Sequence, residues 1–214
     1  MSKQAIARTV LLVVGVLVIG SASVAQAVPI VKVLTPAALV DLVGANPALD
    51  TVVSGYNYKN TFTGQVVSQA YELADSSGYL YLYQAINTGP SVLEVMAVSP
   101  FWSLQDQGYL TGVVPSDFVA GGAVPFNSSM TYDADIPAPT VSFNYPSVLG
   151  AHVLPGGNTV VLYLVSENAP TVGEAYVIDS GTAVTEAVVP VPEPASLALL
   201  AAGGLILAFR RRRR

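Results

Sequence analysis

The chain has 214 residues, no cysteine, one histidine and a formal net charge of −5 from nine basic and fourteen acidic side chains. Without cysteine there is no disulfide, thiolate metal site or cysteine nucleophile. The charge is also unevenly placed. Seven of the nine basic residues lie in the two end segments, and between Val28 and Val191 only Lys32 and Lys59 stand against thirteen acids, a net of −11. So acidic a stretch excludes nucleic acid as a direct electrostatic partner, because phosphate binding needs clustered Lys and Arg.

The N-terminus has three parts. Lys3 and Arg8 make a basic start, Val10–Ile19 is an apolar core broken only by Gly15, and Ser21–Ala27 turns small. This is the plan of a secretory signal peptide, with Ala25 and Ala27 as the small residues of the cleavage site before Val28. The expected partition is a signal peptide over 1–27, a β body over 28–184, an extended Val/Pro spacer over 185–191 and a sorting segment over 192–214.

The body reads as all-β. Gly, Pro, Asn, Ser and Asp punctuate it at short intervals, and β-branched and aromatic residues fill the gaps. Strands are expected over Val28–Leu34, Phe62–Leu73, Gly78–Asn87, Ser91–Ser99, Val113–Phe118, Val141–Tyr145, Thr159–Ser166, Ala175–Ile178 and Ala183–Val188. In the clearest of them Tyr79, Tyr81, Tyr83 and Ala85 share one face and Leu80, Leu82, Gln84 and Ile86 the other. The Asn87-Thr88-Gly89-Pro90 turn then predicts a hairpin between Gly78–Asn87 and Ser91–Ser99. Thr35-Pro36 before Ala37–Val43 suits one short helix, with Thr as N-cap and Pro at the first helical position. The spacing suggests a single β-sandwich, jelly-roll or immunoglobulin-like.

The C-terminus is the second legible end. Pro192-Glu193-Pro194 precedes the uncharged apolar run Ala195–Phe209 and the terminal Arg210, Arg211, Arg212, Arg213 and Arg214. Proline fixes φ, removes an amide donor and biases its predecessor towards extended backbone, the form a protease binds. Arginines beside an apolar segment stay on the cytoplasmic side and stop transfer. The apolar run spans roughly 22 Å as a helix against a hydrocarbon core near 30 Å, so it reads as a short, temporary anchor. A sortase-type reading has no support: Leu154-Pro155-Gly156-Gly157 lies far upstream and lacks the threonine. Gly203-Gly204 sit inside the apolar run, not ahead of it.

The run Val191-Pro192-Glu193-Pro194-Ala195-Ser196-Leu197, the apolar stretch and the terminal arginines together resemble the PEP-CTERM sorting signal. That resemblance implies export by a Gram-negative bacterium and recognition by exosortase, a membrane-embedded cysteine protease-transpeptidase. It also implies a setting of exopolysaccharide and biofilm production. Pro192, Glu193 and Pro194 would be the recognition motif, and the membrane a transient partner.

The body offers no comparable motif. His152 reads as an ordinary loop or half-buried histidine, since its catalytic partners cannot be chosen from the sequence. Asp133 and Asp135, with Asp117 and Asp106 upstream, form the best acidic cluster. Such oxygens suit weak Ca²⁺ binding, but the twelve-residue calcium loop is missing, so solvated carboxylates are expected and no cofactor or metal site. Tyr79, Tyr81 and Tyr83 read as core filling before sugar stacking. The expected function is non-enzymatic: a processed surface or matrix protein with a structural or adhesive body. The alternatives are a module binding carbohydrate or calcium in an extracellular polysaccharide matrix and, further off, a secreted hydrolase.

Overall fold

A computed structural model of the chain describes residues 26–28, 32–112, 114–131, 139–146, 149–150, 152–179 and 181–191. Twelve strands and one helix lie among them, numbered here in chain order. One sheet is entirely antiparallel: β1 (Gln26–Val28), β8 (Asn127–Thr131), β9 (Thr140–Asn144), β6 (Val95–Ser99), β11 (Pro170–Ile178) and β12 (Thr182–Pro190), side by side in that order. The other runs β2 (Val33–Leu34), β7 (Leu104–Leu110), β10 (Leu162–Ser166), β5 (Tyr79–Asn87), β4 (Phe62–Leu73) and β3 (Val43–Tyr58), antiparallel except for the β2–β7 pair. The all-β class holds.

The helix, α1, spans Pro36–Leu42 as its cap predicts. The Thr35 hydroxyl accepts the Ala38 N–H at 3.3 Å, satisfying one of the free amides of the first turn, and Pro36 opens the helix where no donor is needed.

The two faces of β5 explain its sequence. Tyr81, Tyr83 and Ala85 join a buried cluster that includes Met96 and Val98 of β6, Phe143 of β9, Val177 of β11 and Val188 of β12, so residues of both sheets share one core. Leu80 and Leu82 face the other way, into a second cluster with Leu39 of α1 and Phe118. The middle of the second sheet is thus covered on both faces, which is why β5 is apolar on both sides apart from Gln84 and Asn87, whose side chains are hydrogen-bonded.

Four sequence expectations are corrected. First, β5 does not form a hairpin with the following strand: β6 lies in the other sheet, between β9 and β11. Residues 88–94 cross between sheets. Pro90 carries no N–H, so a returning ladder would be interrupted at its first steps. Asn87 ties the turn elsewhere. Its Nδ2 donates to the carbonyls of Ser91 (2.7 Å) and Val153 (3.2 Å), its Oδ1 accepts from Gly89 N (3.1 Å), and Thr88 N and Gly89 N both reach Thr63 O at 2.9 Å.

Second, the described part of Val113–Phe118 is turn and loop, not strand. Its continuation is held by a side chain instead of a neighbouring strand. Buried Gln84 donates to Val119 O at 2.7 Å and accepts from Val119 N at 2.8 Å. The loop drops Phe118 onto the second cluster beside α1.

Third, residues 185–190 are not a spacer. They complete β12, which pairs with β11 from Thr182–Ile178 through to Pro190–Pro170. Burial alternates from Thr182 to Ala187, and then Val188, Val189 and Pro190 are all buried. The body therefore continues through residues 185–190.

The expected Val28–Leu34 strand is also divided, into β1 in one sheet and β2 in the other. The sequence reading missed β3, β7 and β8. β3 contains Pro47, Asp50 and Gly55, all turn signals, but it is an edge strand. Register shifts between Val43 and Val52 absorb the proline there.

Candidate functional site

The segments that carry the sequence's functional signals flank the folded body. Ala25, Pro192, Glu193, Pro194 and Arg210 to Arg214 lie outside the described residues, as do Asp133 and Asp135. Ala27 is described: it sits in β1 opposite Ser129 of β8. Among the described residues no helix is long and apolar enough to cross a membrane; Ala195–Phe209 is not among them.

What the structure does show is how the body presents its ends. β11 runs from Pro170, opposite Pro190, to Ile178, opposite Thr182. Following the antiparallel register across the sheet, Ser99, Thr140, Thr131 and Gln26 all lie towards the Pro170–Pro190 end. β1 therefore enters from the end at which β12 leaves, on the opposite edge of the same sheet. Both flanking segments join the body at one end.

The last strand is held firmly up to that point. The Ser68 hydroxyl accepts the Val188 N–H at 2.9 Å, and the Tyr83 hydroxyl donates to Val188 O at 2.6 Å. Both reach across from the second sheet, and all three residues are fully buried. Each such bond stabilises by about 1 kcal/mol, and an unmade one leaves a buried group unsatisfied at greater cost. Burial holds the Tyr83 phenol well above its usual pKa, so it stays a neutral donor. Val189 packs over Gly173 so closely that a Cβ there would come within 2.4 Å of a Val189 methyl. The final tie is Val191 N–H to Ala169 O at 3.1 Å.

Beside this exit lies an open cleft of about 450 Å³ lined by Tyr79, Glu167, Asn168 and Ala169. Two bonds shape its wall. The Tyr81 hydroxyl donates to Asn168 O at 2.6 Å, and the Ser166 hydroxyl accepts Asn168 N–H at 3.1 Å while donating to Trp102 O at 2.7 Å. Sequence reasoning missed Glu167–Ala169, because a short loop between strands has no periodicity to mark it.

The other candidates are placed apart. Asp106 pairs with Lys32, and Asp117 accepts the Thr51 hydroxyl at 2.7 Å. Among the described residues no three of His, Asp and Glu gather as a metal site would require. His152 is half-buried in a loop, as expected, and its Nδ1 has no hydrogen-bond partner among the described residues. Tyr81 and Tyr83 are fully buried and Tyr79 is half-buried, so two of the three fill the core and only Tyr79 reaches the surface. Leu154-Pro155-Gly156-Gly157 is a tight turn closed by Gly157 N–H to Leu154 O at 2.9 Å, with Gly156 at φ 76°. Pro and Gly there serve the turn geometry.

Residues 190–214 match the family model of the PEP-CTERM protein-sorting motif, so the match begins at the residue where β12 ends. No curated protein and no solved structure matches the chain. The chain carries a PEP-CTERM protein-sorting motif, which implies an exported protein directed to an exosortase for processing at the membrane.

Proposed function

We propose that the chain is a surface or matrix protein that is exported, held briefly in the membrane by Ala195–Phe209 and Arg210–Arg214, and then released from that anchor at Pro192-Glu193-Pro194. Its body is a β-sandwich with a structural or adhesive role and no catalytic one. The observation that carries this reading is the direct join between a rigid body and the sorting motif. β12 stays buried and hydrogen-bonded to Pro190, so removal of the tail leaves every strand intact. A body that survives loss of its anchor suits a protein that works after release. The thirteen acids between Val28 and Val191 suit it too, since self-repulsion keeps a released protein soluble.

Mass spectrometry of the released protein tests this. Its C-terminus is expected near the motif, without Ala195–Arg214; a secreted chain that still ends at Arg214 overturns the reading. The same spectrum checks the other end. The N-terminus is expected at Val28, and replacing Ala27 by phenylalanine slows that cut, because the signal peptidase pocket takes small side chains. Met1 retained on the exported protein would exclude a cleaved signal peptide.

A further inference from the structure

The point at which the body ends limits how far it can stand from the membrane. Val191 is still tied to Ala169 O, and Ala195 opens the apolar run. Four residue steps separate them, and a fully extended chain covers at most about 14 Å in that distance. The headgroup layer on one side of a bilayer takes up roughly 5–8 Å of it. The body therefore has little slack, and the end from which the tail leaves must face the lipid headgroups while the tail is inserted.

That end carries the aromatic side chains suited to such a position. Tyr79 opens β5 beside the exit cleft, and the half-buried Trp102 lies on the connection whose backbone is bound to Ser166. Tyr and Trp favour the membrane–water boundary, where an apolar ring and a polar edge are both accommodated. The charges are acidic. Glu167 lines the cleft, and Asp75 stands fully exposed in the β4–β5 turn, its carboxyl held below its usual pKa by hydrogen bonds from Ser77. Lys32 is taken up by Asp106, and Lys59 lies in the β3–β4 turn at the opposite end of the body. Such a face repels anionic lipid and tolerates zwitterionic headgroups, whose ammonium groups are outermost.

We propose that the end of the body formed by Tyr79, Trp102 and Glu167–Ala169 is a membrane-contact surface of the anchored precursor, seated on zwitterionic headgroups with Trp102 at the lipid boundary. This rests on the reading of the tail as a membrane anchor. Trp102 is the chain's single tryptophan and so reports directly. The full chain from Val28 is reconstituted in phosphatidylcholine–phosphatidylethanolamine vesicles, with lipids brominated near the headgroup or deep in the acyl chain. Vesicle flotation is followed in parallel. Shallow bromines are expected to lower Trp102 fluorescence about twofold and deep bromines much less, as for an interfacial aromatic. A flexible ten-residue insertion between Val191 and Pro192 is expected to abolish quenching while the chain still floats. A full chain that floats but whose Trp102 is quenched no more than that of a chain ending at Val191 overturns the proposal and leaves the anchor reading standing. A full chain that does not float removes the anchor, and the contact surface with it.

Discussion

A chain in which Pro192, Glu193 and Pro194 are all replaced by alanine is expected to be exported normally and to accumulate, unshortened, in the membrane fraction. On the proposed reading, export depends on the N-terminal segment, which is untouched, while Ala195–Phe209 inserts as before and Arg210–Arg214 stop transfer. What is lost is the stiff extended stretch that two prolines impose, together with the carboxylate between them. A chain ending at Pro190 gives the opposite result: soluble protein released outright. That truncation leaves β12 and its ties to Ser68 and Tyr83 whole, so the body folds without the tail. Fractionation and the mass of the released chain measure both. Release of the triple-alanine chain at wild-type size would show that the motif is not what the processing enzyme reads, and that general proteolysis clips an ordinary anchor.

Leu82→Asp is expected to abolish folding. Leu82 is fully buried in the second cluster with Leu80, Val67 and Val161. Its strand neighbours across the ladder are Gln69 and Tyr163, and neither offers a cation. An aspartate there loses the leucine's burial and places an unpaired carboxylate in an apolar layer, at a cost above ~4 kcal/mol. Against a whole stability of about 5–15 kcal/mol, that is most or all of the margin. Thermal unfolding by circular dichroism reads the result, with Leu82→Met as the control for shape, expected to cost less than ~1.5 kcal/mol. A folded Leu82→Asp protein melting within a few degrees of the parent would mean that the β5 face packed under α1 and Phe118 is open to water.

The parts of the protein legible in its sequence were those whose cause is local. The Thr35-Pro36 cap marks the start of α1 because the capping hydroxyl and the proline act within one turn. Phe62–Leu73 is a strand with the bounds its turn residues set, and the alternation of Tyr79 to Ile86 reports a strand covered on both faces. The C-terminal order of motif, apolar run and arginines is matched as a sorting motif from its linear sequence.

The choice of partner for each strand was not local. The strand after Asn87 is apolar enough to lie beside β5, but Pro90, the ties of Asn87 to Ser91 and Val153, and those of Thr88 and Gly89 to Thr63 accompany its crossing to the other sheet. Pro47 and Gly55 look like breaks until β3 is placed at an edge, where its unpaired side needs no donor. Ala187-Val188-Val189-Pro190 is as extended in a free spacer as in a strand. It became part of the body because Ser68 and Tyr83, both far away in sequence, offer it two buried hydrogen bonds, and Gly173 of the neighbouring β11 leaves a gap for a valine. Sequence alone therefore determined that the chain carries a sorting motif and that its body is β. Tertiary structure decided which strands meet and, through them, that the last strand runs on to Pro190, where the matched sorting segment begins. Periodicity and caps act over a few residues, whereas burial and hydrogen bonding across sheets depend on side chains brought together only when the whole chain folds.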